Sequence, residues 1–197
     1  MGKRELKKEE NRQAILSAAK TVFSEKGYHN SSISDILRQT DFSRGTFYLY
    51  FQDKEEIFET LAEILFNEML KDITRINISG THNKLNFKLI LENVLSNLFI
   101  TLHKHSELVK IFLNSPTGID KKFDKIVQKY IDRLTNSIKT TIVMGKNFGI
   151  FRTENPDLTT HLVFGGLKEI VYQWLVTEKY KLNIEKEIII LTQFYLR

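Results

Sequence analysis

Cysteine is absent from the 197-residue chain. That excludes disulfides, thiol nucleophiles and thiolate metal sites, and it suits an intracellular protein. Two prolines and nine glycines are all that interrupt the chain, so long periodic segments run unbroken, as helices require. No run approaches the roughly 18 uninterrupted apolar residues of a membrane-spanning helix, and the amino end, MGKRELKKEENR, has no apolar stretch that could act as a signal peptide. A cytoplasmic protein with no membrane partner is expected. Catalytic motifs are missing as well: there is no Walker loop, dinucleotide glycine fingerprint, His-Glu-x-x-His or nucleophile elbow. His103 and His105 are two apart, so on a helix they point to different faces and do not make a metal pair. No catalytic residue, metal or cofactor is expected, and the chain does not read as an enzyme.

What is present is a composition of 42% hydrophobic and 27% charged residues, enough for one or two domains with a real core. The net charge of +5 suggests nucleic acid, yet residues 1–60 hold ten Lys/Arg and ten Asp/Glu, so the whole surplus lies beyond residue 60. Bulk charge is therefore weak evidence, and the placement of particular cations has to carry the argument. The segment KRELKK reads either as a groove-seeking arm or as a disordered tail, the tail being the simpler.

Helical periodicity dominates. Ile15, Ala18, Ala19, Val22 and Phe23 form a one-sided stripe that Gly27 stops. Ser32, with Asp35 three residues on, reads as the cap of a short helix facing Ile33, Ile36 and Leu37 inward; Asp41 then offers a left-handed turn, and Ser43 can cap a third helix. In that helix Phe47 and Phe51 anchor inward while Arg44, Thr46, Tyr48 and Tyr50 cannot all follow them. Asp53 with Glu56 opens a fourth helix. Two short helices joined by a three- or four-residue turn and flanked by longer ones make a helix-turn-helix, whose second helix can enter the major groove of DNA. Gly45 lets the backbone approach, and the hydroxyls of Tyr48 and Tyr50 can reach phosphates.

These residues resemble a family. AILSAAKTVFSEKGYHNSSISDILRQTDFSRGTFYLYFQDKEEIF, residues 14–58, is similar to the amino-terminal domain of the TetR/AcrR bacterial transcriptional regulators, through Gly-Tyr after the first helix, then Ser-Arg-Gly-Thr-Phe-Tyr, Tyr-Phe and Lys-Glu-Glu at the family's spacing. Family members usually have Ala-Gly where this chain has Thr40-Asp41. Ser43 is counted among the DNA-binding residues, and the resemblance implies that Arg44, Gly45 and Thr46 face base edges. Tyr48, Tyr50 and Lys54 would grip the phosphate backbone, with Ser32 and Ser34 as lesser contacts. Each has a plainer alternative: core aromatics for Tyr48 and Tyr50, a solvated charge for Lys54 and an ordinary surface cation for Arg44.

Beyond residue 75 the polar stretch NISGTHN marks a loop, and everything after it reads as helices. The expected architecture is all-α: a helix-turn-helix DNA-binding domain over residues 1–56 and a larger helical ligand-binding and dimerisation domain over 57–197. The last helices are very apolar, and Gly165-Gly166 permits close approach. They read either as an intramolecular core or as a four-helix dimer interface including Gly165, Gly166, Trp174, Ile188, Leu191 and Phe194, the dimer being preferred because a two-half-site reader needs two heads. Phe99, Leu102, His103, Phe112, Tyr130, Phe164 and Trp174 are candidate walls of an effector site, plain core being the simpler reading of each. The domain's cationic surplus would suit an amphipathic anion such as a fatty acid or acyl thioester, and the layout resembles fatty-acid-responsive members of the family. The resulting expectation is a homodimeric regulator, a repressor on a pseudo-palindromic double-stranded operator released by a small molecule. The alternative is a factor of the same fold with no inducer, acting through protein partners or occlusion.

Overall fold

The computed structural model describes residues 2–74, 84–147 and 149–195; the loop expected over 77–83 lies outside them. Among the described residues nine α-helices and no strand occur: α1 Lys3–Lys26, α2 Ile33–Leu37, α3 Arg44–Tyr48, α4 Lys54–Thr74, α5 Lys84–Lys104, α6 Ser106–Asn114, α7 Lys121–Asn147, α8 Pro156–Val171 and α9 Ile184–Tyr195. A π-helical turn, Tyr172–Val176, continues α8, where the apolar periodicity alone suggests uninterrupted α-helix.

Local chemistry sets most of the ends. Gly27, at φ 78°, closes α1 by donating its N–H to Phe23 O at 3.0 Å. Ser32 Oγ accepts from Asp35 N while Asp35 accepts from Ser32 N, a reciprocal capping box. Ser43 Oγ accepts from Thr46 N at 3.1 Å, Asp53 Oδ1 from Glu56 N at 2.8 Å, and Asn155 Oδ1 from Leu158 N at 3.0 Å with Pro156 as first helical residue. Two expectations need correction. KRELKK is not a disordered tail but the first turns of α1. Asp41 makes no left-handed turn, because Glu178 is the non-glycine residue with positive φ among those described. The Thr40 hydroxyl holds the turn instead, donating to Leu37 O and accepting from Phe42 N.

The chain divides into two compact units, residues 1–65 with 107–127 and residues 66–106 with 128–197. Packing therefore places α6 and the first turns of α7 with the helix-turn-helix, a discontinuous division that differs from a sequence boundary at 56/57. In the first unit Ile15, Ala19, Val22, Phe23, Ile36, Phe47, Phe51, Ile57 and Phe58 are buried. At its centre Tyr28 stacks on Phe123 at 4.7 Å and meets Phe58 at 4.8 Å and the edge of Phe23 at 5.4 Å. In the second unit α5 packs on α9, Phe66 stacks on Tyr130 at 4.7 Å, and Gly145 touches Phe151 so closely that any Cβ there would overlap the ring. Residues 85–104 of α5 are long and apolar enough to cross a membrane by length and composition. They nevertheless bury Phe87, Val94, Leu95, Leu98, Phe99 and Leu102 in this unit.

Asp35 carries a testable consequence. The Lys26 ammonium at 2.6 Å, the Ser32 hydroxyl and the Ser32 N–H hold its carboxyl well below the usual carboxylate range. Because the folded value is depressed, the stabilisation is full above the unfolded value of about 3.9 and fades as pH falls through and below it. Asp35→Asn is expected to lower the thermal midpoint at neutral pH and to flatten its decline below about pH 5, as followed by circular dichroism. An unchanged acid profile would remove Asp35 from the acid sensitivity of the fold.

Candidate nucleic-acid interface

The helix-turn-helix is built so that α3 shows one face to solvent. Phe47 and Phe51, four residues apart, are fully buried, whereas Arg44, Gly45, Tyr48 and Leu49 are exposed. Tyr48 is 54% exposed and holds its ring edge-on to Phe47 at 5.4 Å. Arg44 is exposed, and its Nη2 donates to Ser34 Oγ on α2 at 3.1 Å. The predicted base reader and a predicted minor contact thus meet, and the guanidinium keeps further donors for an outside acceptor. Gly45 has room on the protein side, since a Cβ would come no nearer than 3.7 Å to Ser43 Oγ. Nothing inside the chain therefore demands glycine there.

The remaining predicted contacts sort into grips and supports. Tyr50 Oη accepts from Asn11 Nδ2 of α1 at 3.0 Å, which leaves its own proton for an external acceptor. Ser32 and Ser43 are exposed, but their hydroxyls already cap α2 and α3, and the Thr46 hydroxyl lies 2.9 Å from that of Ser43. Lys54 does not project as a free cation. Its Nζ donates to Tyr28 O at 2.8 Å and Ser31 O at 2.9 Å and sits 4.3 Å above the Tyr28 ring, and burial pulls its pKa down. The geometry makes it a clasp on the α1–α2 turn rather than a phosphate grip. Leu49, 75% exposed at the end of the reading face, escaped the sequence reading because a leucine in an aromatic run reads as core.

In the second unit a cavity of about 80 Å³ is lined by Ile73, Leu91, Val94, Leu95, Leu98, Ile138, Thr141, Ile142, Phe151, Val163 and Leu167. The Thr141 hydroxyl donates to Ser137 O, so the lining offers no unsatisfied polar group from that side chain. None of the seven expected wall residues lines it. Phe99 and His103 pack instead against Trp174, edge-on at 5.9 Å and stacked at 5.4 Å. Leu102 is buried, Tyr130 stacks on Phe66, Phe164 is half-buried, and Phe112 packs on Phe58 in the first unit.

The expected interface residues also separate. Ile188 is buried in its own unit and Trp174 is engaged as above, whereas Phe194 is 72% exposed. Gly165 is exposed and faces open space; Gly166 and Leu191 are half-buried. Leu158, Leu162, Ile189 and Ile190, not among the expected interface residues, are exposed apolar residues of α8 and α9. Successive helical residues point about 100° apart, so Ile188 and its apolar neighbours face different ways although composition treats them alike.

Comparison with known proteins matches this geometry. Residues 15–61 match the family model for bacterial regulatory proteins of the tetR family, and residues 65–194 match the model described as YsiA-like protein, C-terminal region. The uncharacterized HTH-type transcriptional regulator YvdT of Bacillus subtilis is 32% identical over 133 residues, 66% of either chain. The fatty acid metabolism regulator protein of the same organism is 28% identical over 169 residues, 84% of either chain. Among solved structures, a Syntrophomonas wolfei protein assigned to the TetR family superposes with a TM-score of 0.76 at 26% identity, covering 95% of this chain and 93% of its own. FadR from Bacillus subtilis, solved in complex with stearoyl-CoA, has the same fold, with a TM-score of 0.74 at 22% identity over 93% of this chain and 97% of its own. With both family models matched and the helix-turn-helix formed, the chain belongs to the TetR family of bacterial transcriptional regulators.

Proposed function

We propose that this regulator is a cytoplasmic, homodimeric repressor, with residues 1–56 reading a pseudo-palindromic operator and residues 57–197 carrying dimerisation and an effector site. The observation that carries the reading is the exposed face of α3, where Arg44, Gly45 and Tyr48 stand over a fully buried Phe47 and Phe51. Arg44, steered by Ser34, supplies donors for a guanine edge, Gly45 admits the backbone, and Tyr48 and Tyr50 reach phosphates.

Arg44→Ala is expected to cost about 1–3 kcal/mol on an operator selected from random duplexes and to relax selectivity at one base pair per half-site, leaving random DNA little changed. Gly45→Ala separates folding from contact. Alanine fits the protein side, so the thermal midpoint should hold or rise while operator affinity drops. Affinity unchanged by both substitutions would remove α3 from the groove. Lys54→Met should weaken binding to all sequences through the loosened α1–α2 turn without changing its salt dependence; a slope lowered by about one unit per protomer would restore Lys54 to the phosphate contacts.

Dimerisation rests on the exposed apolar residues Leu158, Leu162, Ile190 and Phe194 of α8 and α9 and on the open space at Gly165, which together suit an isologous four-helix contact. Phe194→Asp with Ile190→Asp should sediment as a folded monomer at micromolar concentration and lose operator affinity. A dimer that survives both changes would place the interface elsewhere.

The effector reading joins the apolar cavity to the fatty acid metabolism regulator among the relatives and to the stearoyl-CoA complex of a structural neighbour. A fatty acid or acyl thioester is the proposed class, with its chain in the cavity. At about 80 Å³ the cavity is smaller than the ~150 Å³ that takes a benzene ring, so an acyl chain must part α5, α7 and α8. That small size also favours the second reading, a factor with no inducer. Stearoyl-CoA and shorter acyl-CoAs are expected to raise the thermal midpoint and release operator DNA, as read by a thermal-shift series and fluorescence anisotropy. No shift across the series would favour the inducer-free factor.

A further inference from the structure

The face of α1 that packs into the first unit continues past the end of that unit's core. Val22, Ala19, Ile15, Asn11, Lys8 and Arg4 follow one another at three- and four-residue spacing and so share one stripe of the helix. Val22, Ala19 and Ile15 are buried. The stripe then turns polar while still in contact, Asn11 Nδ2 donating to Tyr50 Oη at 3.0 Å and the neighbouring Arg12 guanidinium lying 5.0 Å over the Phe51 ring. One and two turns further on it is cationic, with Lys8 and Arg4 flanked by Lys7 and Lys3, all exposed. At 100° per residue these four cations fall on one half of the helix, and Glu5, Glu9 and Glu10 fall on the other. Among the described residues neither Arg4 nor Lys8 has an ion-pair partner, and Lys7 makes a loose pair with Glu10 at 3.7 Å.

Solubility asks for charge but not for its segregation, and a stripe that is inward-facing for the rest of the helix should not be left bare without something to lie against. We propose that this face is a phosphate-binding extension of the DNA-binding head, with Arg4, Lys7 and Lys8 engaging the backbone of the duplex next to the phosphate gripped by Tyr50. Asn11 fixes the adjacency by holding the Tyr50 hydroxyl. Lys7 and Lys8 lie about one turn from it, roughly 5 Å, and Arg4 about two turns, roughly 11 Å. Along one strand a phosphate recurs every ~3.4 Å of duplex axis, so the stripe spans several of them. The contact would be blind to sequence and would add affinity and salt sensitivity to whatever α3 reads.

The proposal rests on α3 as the groove helix, so the experiment keeps the two apart. Full-length protein carrying Arg4→Gln, Lys7→Gln and Lys8→Gln is compared with wild type, with Arg44→Ala, and with Glu5→Gln plus Glu9→Gln as a control on the opposite face. Affinity is measured against salt on a selected operator and on a random duplex. The triple variant is expected to keep its thermal midpoint and its operator preference, to lose affinity on both duplexes alike, and to show a salt slope lowered by about two to three units per protomer. The acidic-face control should change the slope little. An unchanged slope in the triple variant, or a control that raises the slope as much as the triple lowers it, would overturn the proposal by leaving no contact or only the long-range field. Loss of sequence preference in Arg44→Ala beside an unaffected triple variant would refute the extension and keep α3. A lowered slope in the triple beside an indifferent Arg44→Ala would do the reverse.

Discussion

Lys54 has exchanged part of its hydration for two backbone carbonyls and the face of a tyrosine, and the pose of the helix-turn-helix depends on that exchange. Its ammonium joins Tyr28 O and Ser31 O, the two ends of the turn that delivers the chain from α1 into α2. Hydrogen bonds to a charged donor contribute about 1.5–3 kcal/mol each, enough to decide where so short a helix begins. Beneath the ammonium, Tyr28 is clamped by Phe23, Phe58 and Phe123, and the adjoining His29 ring is 2.8 Å from Pro116 O. α2 and α3 are five residues each, far below the length at which a helix in water holds itself together. Their caps choose where they start, and the Tyr28 cluster chooses where they sit.

That division explains what could be read from the chain beforehand. Ser32, Ser43 and Asp53 were legible as caps because a cap is made within three residues of itself. The inward pair Phe47 and Phe51 was legible because helical periodicity sorts faces without knowledge of the partner. Lys54 was not, since its carbonyl partners stand 26 and 23 residues away and nothing local distinguishes a clasp from a solvated first-turn lysine. The Asp41 turn failed for a subtler reason: a residue that tolerates positive φ need not adopt it when a neighbouring threonine hydroxyl can bridge the turn instead. Effector-site walls were the least legible. An apolar lining and an apolar core draw on the same residues, and only the volume left between them tells the two apart.

The cations obey a similar rule. Counted in bulk, the first 60 residues are electrically balanced and give no hint of an acidic partner. The fold converts that balance into opposed faces, because α1 turns all the cations of its first two turns toward the side where Asn11 meets Tyr50. Affinity for a polyanion depends on the cations that reach phosphates, not on the sum. A neutral head can therefore still bind a polyanion through one cationic face.

Reading and regulation make opposite demands on packing. The reading head is over-determined: buried rings, filled caps and a clasped turn leave α3 little freedom, which preserves the donor geometry on which base discrimination depends. The second unit keeps a small apolar void bordered by α4, α5, α7 and α8. A ligand that filled and enlarged it would gain dispersion contacts along its lining only in the parted arrangement. Its power to shift the regulator is bounded by that difference in affinity between the two arrangements, not by how tightly it binds. Two helices, α4 and α7, contribute residues to both units, and the same two helices supply Lys54 and Phe123 to the head.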